Sequence, residues 1–288
     1  MVWFRKVAII GPGLIGGSVG LALKNKFRNR VSITAFGRNE GRIKLAKKIG
    51  AVDNYCMDIC SAVKDKDLVV VCTPVEKIAE MIQLISPYLS KKTIVTDAGS
   101  VKKFVIDRIK KIKSENLNFI GSHPIAGSEK KGVEYADKNL FDGSACVVCF
   151  DKKLSDKESL NKICIFWESV GCKIFLLDAD EHDKILAATS HFLHILSYLI
   201  FDQIATRKKF LGFVGGAFRD MTRIASSSGS LWSEICNFNK KNIKREILLY
   251  RKRLEKVCEL LDNKGDLEKY FSYISKRKNE YDKIIQKK

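Results

Sequence analysis

The sequence predicts an α/β chain in two parts, a mostly parallel, helix-covered sheet followed by an all-α segment. Three observations predict it. Up to about Asp178, short Val- and Ile-rich runs alternate with amphipathic stretches, the pattern of successive βα units. After Asp180 the strand signals stop and long helical patterns take over. The length, 288 residues, suits about two domains of ordinary size. The expected segments are 1–178 and 179–288.

The first run, Val7–Ile10, leads into Gly11-Pro-Gly-Leu-Ile-Gly16, and a helical pattern opens at Leu14. Strand, GxGxxG turn and helix in that order make a dinucleotide-binding unit of the Rossmann type. Gly11 permits the tight turn, Gly13 lets backbone approach a pyrophosphate, and Gly16 lets the helix pack closely on the strand. The N–H groups at the helix start, with Leu14 and Ile15, face the phosphates.

The second run, Val31–Phe36, ends in Gly37-Arg38-Asn39, where an acidic residue would hold a ribose 2′-hydroxyl. No carboxylate stands there to repel a 2′-phosphate, and Arg38 can pair with one, so NADP is expected over the alternative, NAD. The runs Leu68–Cys72 and Thr93–Thr96 lead into Thr73-Pro74 and Ala98-Gly-Ser100. Ligands bind at the carboxyl edge of such a sheet, so Thr73, Pro74 and Ser100 are candidates for the nicotinamide end. Thr73 and Ser100 equally suit helix caps.

Asn118–Gly121 is the next run, and His123 follows it in Gly121-Ser-His-Pro-Ile-Ala-Gly127. An imidazole at the ligand edge can take the proton of an alcohol whose carbon gives up hydride. Ala145–Phe150 carries Cys146 and Cys149, which strand geometry puts on opposite faces. With no second pair to complete a zinc site, the nine cysteines read as reduced thiols, and no metal is expected. Lys173–Leu177 is the last run.

Asp183–Phe201 is apolar almost all round and is expected to be a buried helix, for which a partner subunit can supply cover. Its His191 and His194, three residues apart, share a face. They fit neutral core histidines, and the HxxH spacing finds no third metal ligand. Helical patterns follow at Phe210–Ile224, Leu231–Phe238, Lys241–Leu261 and Leu267–Gln286. Arg219 and Arg223, four apart, suit a carboxylate substrate or a surface ion-pair set.

The net charge is +19, and residues 240–288 hold 16 Lys plus Arg against 8 Asp plus Glu. The aromatics there fall at apolar helical positions rather than along an exposed basic stripe, so nucleic acid is not an expected partner. The positive field favours small anionic ligands. The start, MVWFRKVAII, has no cleavage-site pattern, and no apolar run approaches the ~20 residues of a membrane span. A cytoplasmic protein without membrane contact is expected.

Together these segments resemble the prephenate dehydrogenase family, which includes arogenate and cyclohexadienyl dehydrogenases. The resemblance rests on VAIIGPGLIGGS, VVVCTPV, TDAGSVK, GSHPIAGSEKKGVEYADKNLF, EHD followed by ATSHFLH, and FRDMTRIASSSGSLW, in that order. It implies oxidative decarboxylation of prephenate to 4-hydroxyphenylpyruvate, or of arogenate to tyrosine. It also implies a Rossmann-type domain followed by an all-α dimerisation domain, hence a homodimer. His123 is then similar to the family's catalytic histidine and Ser100 to the serine that positions the substrate hydroxyl. His194 is similar to a substrate-contacting histidine, Arg223 to an arginine pairing with a substrate carboxylate, and Trp232 to a tryptophan near the site. SSSGSLW stands where many relatives carry Asp-Pro, and SHFLH lacks the usual proline, which predicts a helix without a proline kink. Rival readings are another two-domain dehydrogenase, such as a β-hydroxyacid dehydrogenase, and a non-catalytic NADP sensor. The first wants a lysine where His191 and His194 stand, and the second has no use for His123, Ser100 and Arg223.

Overall fold

A computed structural model describes residues 4–127, 130–262 and 266–285, and the chain parts into two compact units, 1–240 and 241–288. In the first unit one sheet holds β1 (Lys6–Ile10), β2 (Ser32–Phe36), β3 (Asn54–Cys56), β4 (Leu68–Val71), β5 (Ile94–Asp97), β6 (Asn118–Pro124), β7 (Ala145–Cys149) and β8 (Lys173–Leu176). Their order is β3-β2-β1-β4-β5-β6-β7-β8, and each pairing is parallel except β6 with β7. Helices α1 (Leu14–Phe27), α2 (Glu40–Lys48), α3 (Ile59–Val63), α4 (Val75–Ile85), α5 (Lys103–Ile109) and α6 (Lys157–Ser169) connect the strands. Because β1, β2, β4, β5 and β6 run parallel, the turns that follow them share one edge.

All seven expected runs are strands. β3 is the one the sequence did not suggest. Its three residues, Asn-Tyr-Cys, are partly exposed and too few for an alternating pattern.

Strand residues alternate between two cores. Val7 and Ile9 pack on one face with Ile33, Val70 and Trp167, while Ala8 and Ile10 pack on the other with Val69, Val95 and Ile78. β4 is buried along its whole length, as a central parallel strand covered on both faces must be. Cys146 joins the first core and Cys149 the second, as the strand spacing predicts, and all nine cysteines are free.

Beyond the sheet the first unit is helical: α7 (Ala179–Leu186), α8 (Phe192–Ala205), α9 (Gly216–Thr222) and α10 (Gly229–Phe238), with 3₁₀ turns at Lys208–Phe213 and Arg223–Ser226. A π turn, Ala187–His191, joins α7 to α8, and the Phe192 N–H bonds to the Ala187 carbonyl. The segment lacks proline, as expected, so its irregularity is this one wide turn.

Two expectations about this segment need correction. It is not a buried helix in the single chain: Leu193, Leu199 and Phe201 are 47%, 59% and 44% exposed. On α8 itself only Phe192 and Ser197 are buried, with His191 buried in the turn before it. Nor does the chain lack an apolar stretch of spanning length. Ala179–Ala205, 27 residues that contain an 18-residue window with a mean hydropathy of 1.4, is long and apolar enough to cross a membrane by length and composition. Its scattered Ser, Thr and His residues break up any continuous apolar run without lowering the average much.

The second unit comprises most of α11 (Lys240–Asp262) and all of α12 (Leu267–Ile285). Both are amphipathic and rich in lysine and arginine.

Candidate active site

The turns after β1, β2, β4 and β5 form a cradle for a dinucleotide. Gly11 holds a φ of +85°, which L side chains rarely adopt, and a Cβ on Gly16 would lie 2.6 Å from the Gly11 carbonyl oxygen. Turn and helix are thus in direct backbone contact, which only glycine permits at these positions. A Cβ on Gly13 would meet nothing within 4 Å, so this stretch of backbone faces open space. Gly13 is the N-cap of α1 and no side chain caps the helix, which leaves the N–H groups at Leu14 and Ile15 to a ligand. The Gly11 N–H bonds to the Phe36 carbonyl at 2.8 Å and ties the turn to the end of β2.

At that end, Gly37 packs against Pro12 and Ile43, and the Asn39 side chain caps α2 by accepting from the Arg42 N–H at 3.0 Å. Arg38 projects into solvent. Glu40, the nearest acid, pairs with Lys44 at 2.9 Å.

Neither hydroxyl expected as a possible cap serves as one. Pro74 is the N-cap of α4, and Lys102 is the N-cap of α5. The Thr73 Oγ1 is buried without a hydrogen-bond partner. An orphaned buried hydroxyl costs about 1–3 kcal/mol, so a ligand group that pairs with it gains correspondingly. Thr73, the uncapped α1 and the open backbone at Gly13 all fit a dinucleotide. Ser100 stands half-buried two residues before Lys102.

His123 sits within the end of β6, buried. Its Nδ1 lies 2.8 Å from Nε2 of His182, a residue of α7. The His182 Nδ1 lies 2.7 Å from Oδ1 of Asp183. Asp183 also accepts the backbone N–H of Lys102 at 2.8 Å and that of Lys103 at 3.1 Å, so it caps α5 from a distant helix. Behind His123, the buried Lys102 Nζ reaches the Asp97 carboxylate and, at 2.7 Å, the Ser122 carbonyl. Asp97 accepts in addition from the Ser122 N–H at 3.0 Å and the Gly99 N–H at 2.9 Å. The residue before His123 is therefore pinned through both backbone groups.

Burial dominates the electrostatics. It holds His123 well below the usual imidazole range, with His182, Lys102 and His191 adding to the effect. Burial also lowers His182, outweighing the opposite pull of Asp183. His191 is lowered to about 4, again chiefly by burial. These imidazoles are neutral at pH 7.

Trp232, on α10, stacks on His194 with ring centroids 3.5 Å apart, and His191 meets the same indole edge-on at 6.0 Å. The shared face expected for the two histidines is real, and Trp232 covers it. His194 donates from Nδ1 to the Ser190 carbonyl at 3.1 Å, so its Nε2 is the acceptor of the neutral ring. Arg223, exposed at the start of its 3₁₀ turn, is near enough for its charge to lower the pKa of His194. Arg219 belongs to α9, and the change of helix type at Arg223 breaks the regular four-residue spacing expected of the pair. Ser128 and Glu129 of the SHPIAGSE motif lie outside the described residues.

Sequence reasoning missed Lys102, His182, Asp183 and Asn239. The Asn239 Nδ2 donates to the Asp183 carbonyl at 2.7 Å and lies 3.1 Å from the His191 Nδ1. Among the described residues no group of three His, Cys, Asp or Glu side chains could hold a metal.

Sequence models of the prephenate dehydrogenase family match almost end to end, the nucleotide-binding domain over residues 19–176 and the dimerization domain over 178–276. Cyclohexadienyl dehydrogenase of Zymomonas mobilis is 32% identical over 240 residues, covering 82% of this chain and 81% of the relative. Prephenate dehydrogenase of Bacillus subtilis is 29% identical over 278 residues, 95% of this chain and 74% of that one. The crystal structure of prephenate dehydrogenase from Aquifex aeolicus, in complex with hydroxyphenyl propionate and NAD+, superposes with a TM-score of 0.88 at 29% identity. That match covers 96% of this chain and 98% of the other.

Proposed function

The chain belongs to the prephenate dehydrogenase family, and from that premise we propose that it oxidatively decarboxylates prephenate to 4-hydroxyphenylpyruvate, or arogenate to tyrosine, in tyrosine biosynthesis. The observation that carries this reading is His123, a neutral imidazole held at the ligand edge of the sheet beside the dinucleotide cradle. Its Nε2 takes no hydrogen bond from any described residue, which leaves a lone pair for the substrate's ring hydroxyl.

When bound, the nicotinamide supplies the hydride acceptor. The chain's own residues do the rest. His123 takes the hydroxyl proton as the ring carbon loses hydride, and Ser100 orients that hydroxyl. The ring carboxylate departs as CO2 as the ring becomes aromatic, so the step is strongly downhill. Arg223 binds that carboxylate without blocking its loss, and His194 contacts the substrate beside Trp232. Gly11, Gly13, Leu14, Ile15 and Gly16 hold the pyrophosphate, and Thr73 and Pro74 line the nicotinamide end. Residues 1–178 then form the dinucleotide-binding domain, and 179–288 the substrate and dimerisation domain of a cytoplasmic homodimer. The uncovered Leu193, Leu199 and Phe201 support that assembly.

NADP is the expected cofactor. Glu40 is engaged with Lys44, and Lys77 is close enough to feel the charge of Arg38. Lys77 is itself paired with Glu80 at 2.9 Å, so Arg38 is the cation left for a 2′-phosphate. The deciding experiment pairs both substrates with both cofactors and follows reduced nicotinamide. Turnover is expected with prephenate or arogenate, with the lower KM for NADP. No turnover in any combination would remove the reading, and a strong NAD preference would remove the role of Arg38.

Arg223→Ala is expected to raise the substrate KM by about 10–100-fold and to leave kcat nearly unchanged, the loss of one charge-assisted hydrogen bond. A KM within about twofold of wild type would take Arg223 out of the substrate site.

A further inference from the structure

All four histidines of the chain gather at this one site, and three of them have no role in contacting hydride or CO2. One of these, His182, is wired to His123 in a fixed sense, with Asp183 behind it. The Asp183 carboxylate can only accept, and it already accepts the N–H groups of Lys102 and Lys103. Its contact with His182 at 2.7 Å therefore requires a proton on His182 Nδ1. A neutral His182 then has a bare Nε2, which at 2.8 Å accepts the Nδ1–H of His123. The proton of neutral His123 lies on Nδ1, and the lone pair lies on Nε2.

We propose that His182 and Asp183 are positioning residues that lock His123 in the tautomer able to accept the substrate proton, with the N-terminus of α5 anchoring the far end. This rests on the proposed oxidation, because it assigns His123 the part of proton acceptor. The arrangement does two things. Before reaction it excludes the tautomer that would offer the hydroxyl a donor instead of an acceptor. During reaction His123 gains a positive charge in a buried place, and a polarised His182 backed by a carboxylate offsets that charge. The anchor is stiff because Asp183 accepts two backbone N–H groups at a helix start, and Asn239 holds its own carbonyl.

Asp183→Asn is the informative variant. Oδ1 takes both the His182 Nδ1–H and the Lys102 N–H, so an amide NH2 in that place loses the Lys102 bond and reverses the donor sense along the relay, while the amide oxygen in the Oδ2 place keeps the Lys103 N–H. His182 and His123 are both expected to move to the Nε2–H tautomer, and kcat to fall by about 10²–10⁴-fold, the range for a base left in the wrong tautomer. Long-range ¹H–¹⁵N spectra of the labelled full chain read the tautomers directly, and four histidines make assignment tractable. The cofactor dissociation constant, read by NADPH fluorescence, is expected to stay within about twofold.

His182→Gln and His182→Leu form the second arm. Glutamine keeps an oxygen for His123 and an N–H for Asp183, so it should hold kcat within about tenfold of wild type, whereas leucine should fall as far as Asp183→Asn. The proposal is overturned if Asp183→Asn leaves His123 protonated on Nδ1, if its kcat stays within about threefold of wild type, or if the two His182 variants are equal. Absence of wild-type turnover with every substrate would refute the proposed oxidation alone, because the tautomers are read without turnover.

Discussion

His123→Asn is expected to lower kcat by about 10²–10⁴-fold while the substrate KM moves by less than about threefold. Asparagine keeps a polar side chain of similar length, so the pocket survives. It cannot take a proton at neutral pH, so an interaction made only in the transition state is lost. The wild-type pH profile gives a second reading. His123 is held well below pH 6.5 by burial first and then by His182, Lys102 and His191. The groups around it are Lys102 and Asp97 beside the sheet, His182 and Asp183 from α7, and His191 from the π turn. As pH falls, a base stops working at its own pKa, so the acid limb of kcat/KM should lie below 6.5, and the variant should lose it. An acid limb at or above 6.5, or near-normal turnover in the variant, would remove His123 from the role of base.

Lys102→Met should destabilise the protein by about 3–5 kcal/mol, the usual cost of stripping one partner from a buried ion pair. Lys102 and Asp97 are both inaccessible to solvent. The deletion leaves a buried carboxylate with only the Ser122 and Gly99 N–H groups as donors. Methionine nearly preserves the volume, so cavity formation contributes little. Adding Asp97→Asn removes the stranded charge and should recover more than half of the loss. Urea unfolding of the two variants measures both numbers. A loss below about 1 kcal/mol, or no recovery in the double variant, would mean that the pair is not the buried, desolvated contact described. Activity should also drop, because the same ammonium holds the Ser122 carbonyl next to His123.

The sheet was legible because central parallel strands must be apolar on both faces, and runs such as Leu68–Cys72 have few other readings. The glycine turn was legible for a related reason: Gly11 and Gly16 meet constraints that no other residue meets. The relay behind His123 was not legible. His182 and Asp183 lie 59 and 60 positions from His123, and nothing in local periodicity pairs a helix entry with a strand end. The EHD triplet was a signal, since a polar pair at the start of an amphipathic helix wants a partner across the fold. Lys102 was overlooked because a lysine at a helix entry reads as solvated, and only the neighbouring Asp97 hints otherwise. Misjudging Asp183–Phe201 as buried had a different cause. Apolarity reports that a surface needs cover, not that its own chain supplies it.

The π turn at Ala187–His191 makes length, more than chemical character, the property that the site demands of this segment. One residue of α-helix is about 100° of rotation. The wide turn absorbs one extra residue, so the stretch before it, with His182 and Asp183, and the stretch after it, with His194, are indexed independently. Residues 187–190 can vary in identity as long as small side chains fit. Removing one of them would close the wide turn to an ordinary α turn with His182 and His194 in place, whereas removing a second would re-index all of α8, carrying His194 off the indole of Trp232 and turning the exposed leucines through the same angle. The segment behaves as a counting device, and its unit is the single residue.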